Sequence, residues 1–277
     1  MRAPSVAFIL CAACGSNGGG DPTPDAADPP IGGWTSLIQK SWTLVPGGEN
    51  TSDLQIESLV KDVVIGGIRP LSPPGTHHTV LFRGAQGTNM VYASGVGTNE
   101  LMFPTGTGMR ITAGTLLGLQ LHIFNQTDQM LTGTSGIEIF EIDPNAVVDE
   151  VDMFLPGPRN LNIPPGEQTV TGRCTVSSSY KLFALFPHMH QLGSHLKTTV
   201  TASGTEHVLN DAPYNFDHQE VLSFPPLDVV AGDTIDTTCT WNNTTNQTVQ
   251  WGESSTTEMC FSILYRYPRG TGEFCDQ

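Results

Sequence analysis

The chain has 277 residues with a formal net charge of −15 at pH 7, and only 14% of its residues are charged. An acidic surface repels phosphate backbones, which excludes nucleic acid as a partner class. Its 30 glycines and 20 prolines, with no long stretch of apolar residues at helical spacing, point to turns and short strands rather than helices.

The first 14 residues are expected to be an export signal. Val6 to Ala13 is apolar but too short for a bilayer anchor, and Leu10-Cys11-Ala12-Ala13 runs directly into Cys14. Small residues before a cysteine fit a lipoprotein signal with Cys14 as the lipidated residue; an ordinary cleaved signal peptide is the other reading. Residues 15–30 carry no large apolar side chain and are expected to be a flexible tether. The lipoprotein is favoured because that tether follows Cys14 at once. It would place the protein at the bacterial cell envelope, or secreted, touching the membrane only through its lipid.

Ordered sequence is expected from Ile31. Strand-like runs follow at Leu54–Ile65, Thr79–Phe82, Leu116–Phe124 and Ile137–Ile142. Turn signals such as Pro73-Pro74-Gly75 separate them. Asp143-Pro144-Asn145 breaks the pattern and suggests a division into residues 31–145 and 146–277. The second part carries runs at Leu182–Phe186, Leu196–Thr201, Val221–Phe224, Ile235–Trp241 and Phe261–Tyr267. The expected fold is all-β, as two tandem antiparallel β-sandwiches. Setting aside Cys11 and Cys14, four cysteines remain, all in the second part: Cys174, Cys239, Cys260 and Cys275. An even number in an exported chain suggests two disulfides.

Five of the eight histidines have suggestive settings. His77 and His78 are adjacent at the start of a strand, so both rings reach one metal only if the backbone bends there. Alone, such a pair is read as structural or incidental. His188 and His190 are two apart on a strand and project from one face, a chelating arrangement that suits copper, zinc, nickel or iron; a surface or core pair is the other reading. His122, within Leu119–Phe124, reads by itself as a core histidine. Met259 lies in Glu258-Met259-Cys260. Its thioether is a soft donor that favours Cu(I), although a methionine beside a cysteine usually fills core. His195, His207 and His218 read as solvated or structural.

Together these fragments resemble the copper type II, ascorbate-dependent monooxygenases. Pro187–Gly193 (PHMHQLG) is similar to that family's His-x-His segment, and Gly252–Tyr267 (GESSTTEMCFSILYRY) to its Glu-Met-Cys segment. Thr76–Phe82 (THHTVLF) is similar to its first histidine motif, and Gln120-Leu121-His122 to the segment with its third histidine. The resemblance implies two jelly-roll sandwiches. His77, His78 and His122 would hold one copper in the first, and His188, His190 and Met259 a second, O₂-binding copper in the second. It implies disulfides Cys174–Cys275 and Cys239–Cys260. It also implies O₂, a small-molecule substrate, and ascorbate or another external one-electron donor. In the peptide-hydroxylating relatives, three polar groups near the second copper bind a substrate carboxylate. The matching positions here are Phe186, Phe261 and Ile263, so the resemblance implies an apolar or aromatic substrate instead; filling the core is the alternative role for these three. A non-catalytic copper-binding or copper-delivery lipoprotein is the competing function. A structural double sandwich with incidental histidines is a third.

Overall fold

The computed structural model describes residues 30–52, 54–85, 89–252 and 254–275. The expected signal and Cys14 lie outside them, as does all of the expected tether but Pro30. Among the described residues the protein is all-β. Its one helical element is the 3₁₀ turn Pro144–Ala146, and no helix is long and apolar enough to cross a membrane.

The principal strands before that turn are β1 (Pro30–Leu44), β2 (Gln55–Ser58), β3 (Val63–Leu71), β4 (Thr76–Arg83), β5 (Met90–Ser94), β6 (Thr107–Ile111), β7 (Leu116–Phe124) and β8 (Leu131–Ile142). After it come β9 (Asp152–Pro156), β10 (Gly166–Thr175), β11 (Tyr180–Met189), β12 (Gly193–Ala202), β13 (Thr205–Pro213), β14 (Leu222–Val229), β15 (Thr234–Asn243) and β16 (Cys260–Tyr267). The first set forms two sheets, ordered β1-β8-β3-β6 and β2-β7-β4-β5. The second forms β9-β16-β11-β14 and β10-β15-β12-β13. Strand for strand, the second half repeats the order of the first.

A side-chain motif repeats with it. Directly after β7 stands Asn125-Gln126-Thr127-Asp128-Gln129, and starting on the last residue of β15 stands Asn243-Thr244-Thr245-Asn246-Gln247. In each, the asparagine Nδ2 donates to the glutamine carbonyl (2.8 and 2.9 Å) and its Oδ1 accepts from the threonine N–H (3.0 Å in both). Both asparagines are buried, and these bonds satisfy amides that would otherwise be costly there.

The run Leu54–Ile65 is two strands rather than one. Val60 is 92% exposed and lies in the turn between β2 and β3, where Lys61 pairs with Glu141 at the surface. The Asp143–Asn145 break is the 3₁₀ turn, its Asp143 side chain accepting from Asn145 N–H. Beyond it, Asp149–Glu150 pairs in parallel with β6, and Asp152 begins the pairing of β9 with β16.

β11 and β16 are buried on both faces, which is why each reads as a nearly unbroken apolar run. Phe183, Phe186, Phe261, Ile263 and Tyr265 pack into a core shared with the first half, with Leu81, Tyr92, Leu119 and Ile139. Leu182, Leu185 and Leu264 turn the other way, against Val200 and Ile235 of the companion sheet. β10 and β15 have one face in water. There the hydroxyls of Thr169 and Thr240 meet at 2.9 Å, and Arg173 grips Asp236 with two N–H groups. The disulfides are Cys174–Cys275 and Cys239–Cys260, spanning 101 and 21 residues. In the chain-entropy account, loops of those lengths stabilise by about 5 and about 3 kcal/mol.

Candidate metal centres

His77 and His78 reach the same side because β4 is bulged there. Thr76 pairs with Ile123 and His78 with His122 on β7, so His77 is the extra residue in the ladder. The turn before it needs Gly75, whose φ is +98° and where a Cβ would meet Trp42 and Leu131 at 2.8 Å. The three Nδ1 atoms converge: His77 to His78 is 3.2 Å and His78 to His122 is 3.3 Å. One ligand atom from each ring lies within 4.8 Å of the other two.

The far sides of these rings are held as well. His122 Nε2 donates to the Glu49 carboxylate at 2.6 Å, and His77 Nε2 faces the Asp217 carboxylate at 3.6 Å. An imidazole that gives its Nε2 proton to a carboxylate keeps a bare Nδ1, the form that binds metal. Asp217 comes from the second half of the chain, so that half helps to set this site.

His188 and His190 lie at the end of β11, with ring centroids 5.2 Å apart. Met189, between them, turns into the opposite core. His190 Nδ1 donates to the Thr257 carbonyl at 2.9 Å and His188 Nδ1 to Gln219 Oε1 at 3.1 Å, leaving both Nε2 atoms bare. β11 and β16 pair as far as Met189 and Cys260. His190 and Met259 are the next residues at that open end, and Met259 is half-buried. The Cys239–Cys260 disulfide tethers the residue after Met259.

Burial favours the neutral form of four of these imidazoles. It pulls His77 and His190 below the ordinary histidine range, and His78 well below it, with His188 the next cause at His78. His188 falls to about 3, through burial and then the neighbouring His190.

The two sets adjoin. The rings of His78 and His188 are 5.9 Å apart, and Phe216 lies 4.5 Å from His77 and 6.4 Å from His190. A cavity of about 460 Å³ opens beside the three-histidine set, with Glu49, Asp217, Phe124, Tyr214 and Phe216 in its wall. Phe186, Phe261 and Ile263 do not line it. They are buried in the shared core below His188, with the Phe186 ring stacked 5.9 Å from that of His188. His195 and His218 pair with Asp211 and Glu220 toward solvent, and His207 lies on β13.

Several groups behind the ligands have no role legible from sequence. Glu258 is fully buried, and its carboxylate accepts from the backbone N–H groups of His190 (3.0 Å) and Leu192 (2.7 Å) and from the Trp241 indole (2.9 Å). Its place before Met259 was a signal. Glu49, Asp217 and Gln219 have no local signature.

The donor set fits copper. Imidazole and thioether donors are those a Cu(I)/Cu(II) site uses, and the Nδ1 atoms of His77, His78 and His122 already converge. Residues 151–277 match the family model for the C-terminal domain of copper type II ascorbate-dependent monooxygenases. That match supports this copper- and ascorbate-using family through the half that carries His188, His190 and Met259. Two relatives are similar over 210 residues at 27% identity, covering 65% of this chain: DBH-like monooxygenase protein 1 from Gallus gallus and from Homo sapiens. This chain spans 33% of the length of each. A solved structure, the infectious bursal disease virus VP2 subviral particle, aligns over 88% of this chain and 74% of that one. Its 11% identity and TM-score of 0.19 carry no argument.

Proposed function

We propose that this chain is a copper monooxygenase of the type II, ascorbate-dependent family. It hydroxylates a C–H bond of a small, apolar or aromatic substrate with O₂ and electrons from ascorbate or another external one-electron donor. One oxygen atom goes to carbon and the other to water, with a pair of electrons and protons supplied from outside. The observation that carries this reading is the inward-facing Nδ1 triad of His77, His78 and His122 beside the His188–His190 pair. Copper, when bound, would supply the O₂ and electron-transfer chemistry that the side chains do not. His188, His190 and Met259 would hold the O₂-binding ion, and the three-histidine set the second. Glu49, Asp217, Thr257 and Gln219 orient the rings, and Phe216 covers the space between the two sets.

The same proposal extends to the architecture and location. The repeated strand order fits two jelly-roll sandwiches, residues 31–145 and 146–277, each bringing one ligand set. Two disulfides fit an oxidising compartment, in keeping with export and a lipid anchor at Cys14.

The reading is tested by elemental analysis after copper loading and removal of excess. The expected result is two coppers per chain; one copper, or a preference for zinc, would sink the two-site proposal. Substrate choice is a separate test. At the positions that match the carboxylate-binding groups of the peptide-hydroxylating family members, Phe186, Phe261 and Ile263 are buried in the core and supply no charge partner, and an unpaired buried carboxylate costs several kcal/mol. Small arylalkyl compounds are therefore expected to be turned over, and a glycine-extended peptide not. Efficient turnover of the peptide, with weak activity on the others, refutes this.

A further inference from the structure

Gln219 is buried, at 2% exposure, and stands between the two histidine sets. Its Nε2 donates to the Phe216 carbonyl at 2.9 Å, which fixes the orientation of the amide. Oε1 is therefore the atom 3.1 Å from His188 Nδ1, and Nε2 the atom 3.5 Å from His78 Nε2. One side chain thus faces a candidate ligand of each set. A carbonyl-type oxygen only accepts, so it selects the His188 tautomer with hydrogen on Nδ1 and a bare Nε2.

The backbone around Gln219 is fastened across the halves. Its N–H donates to the Val96 carbonyl at 2.8 Å, and its carbonyl accepts from Thr98 Oγ1 at 2.7 Å. Two residues on, Val221 exchanges a pair of hydrogen bonds with the Asn99 side chain (2.9 and 3.3 Å). Gly95 makes room for the amide: a Cβ there would meet Gln219 Cδ at 2.7 Å. Residues 95–99 of the first half thereby hold a residue of the second half against histidines of both.

We propose that Gln219 is a positioning residue shared by the two centres, its one amide setting the tautomer and orientation of His188 and of His78 together. The part that concerns metal rests on the copper reading above. The amide N–H that faces His78 favours a bare Nε2 there, with the hydrogen on Nδ1; if His78 binds copper through Nδ1, that hydrogen moves to Nε2 and the amide must shift to accommodate it. Leucine at this position can serve neither ring; glutamate keeps the acceptor for His188 and offers one to His78.

The test has two arms. In the metal-free protein, long-range ¹⁵N NMR of the imidazoles is expected to show His188 with hydrogen on Nδ1. In Gln219→Leu, and in Gly95→Ala, which displaces the amide without removing it, the Nδ1 resonance is expected to move toward the unprotonated range. Gln219→Glu is expected to keep the wild-type tautomer. In the copper-loaded protein, Cu(II) EPR is taken in His122→Ala, which leaves the His188–His190 site, and in His190→Ala, which leaves the three-histidine site. Adding Gln219→Leu is expected to shift the signal in both backgrounds, and Gln219→Glu to restore it more nearly. An unchanged His188 tautomer in both Gln219→Leu and Gly95→Ala overturns the proposal, as does a shift confined to one EPR signal. Failure of the wild type to bind copper would instead overturn the copper reading, with the NMR arm still deciding the role of Gln219.

Discussion

His190→Ala is expected to bring turnover below detection and to lower the copper content from two per chain to one, with the fold intact. His190 stands just past the end of β11, so truncation loses the Nδ1 bond to the Thr257 carbonyl but leaves the strand pairing that ends at Met189 in place. His188→Ala is expected to do the same to activity, while also removing the ring stacked on Phe186. His122→Ala empties the other site. It is expected to leave O₂ chemistry starved of its second electron, so turnover falls while the site with His188 and His190 still loads. Met259→Leu keeps the volume and removes the sulfur. Cu(I) affinity at that site should fall by about tenfold or more, ~1.4 kcal/mol. Copper titration and turnover on one substrate check all four variants. A His190→Ala protein that holds two coppers and still turns over would refute the ligand assignment.

The site was legible where the chemistry is local and opaque where it depends on tertiary approach. The period of a strand is enough to put His188 and His190 on one face. It also states the condition for His77 and His78, a break in the ladder, and the register shift at His77 meets it. Nothing local ties His122 to them, because its partnership comes from β4 and β7 lying side by side. Glu49 and Asp217 are 28 residues before and 140 residues after His77 in the numbering, and no spacing rule links groups that far apart. The contact of the two sets, His78 against His188, follows from how the halves share a core.

The fold was legible in class but not in its repetition. High glycine and proline content and alternating runs such as β15 announce strands. The doubled architecture is marked in the sequence by Asn-x-Thr-x-Gln at the ends of β7 and β15, too short a likeness to stand out without the hydrogen bonds that give it meaning. Leu54–Ile65 misleads because Leu59 and Val60 extend an apolar run across a turn in which Val60 faces water. Tertiary context, not propensity, ends β2 there.

Glu258 carries the largest expected stability effect. Its carboxylate receives three donors in a fully buried place: the N–H groups of His190 and Leu192, where the chain leaves β11, and the indole of Trp241 on β15. Burial pushes its carboxyl above the ordinary range, and the bonds from Leu192, Trp241 and His190 pull back toward the ionised form. Glu258→Ala leaves these donors unpaired and opens a cavity. At about 1 to 3 kcal/mol for each orphaned buried donor, partly relieved by entering water, the loss is about 4 kcal/mol, or a fall of ~10 °C in the thermal midpoint. Glu258→Gln keeps the shape but turns an NH₂ toward one or more of those N–H groups, so it should recover less than half of the loss. Because the bonds to His190 and Leu192 set the backbone at the second site, both variants should also bind copper there more weakly, while the three-histidine site loads as before. Thermal unfolding of the metal-free protein and site-resolved copper titration provide the check. A Glu258→Ala protein as stable as the wild type, with unaltered affinity at the His188–His190 site, would mean that the carboxylate organises neither the core nor the ligands.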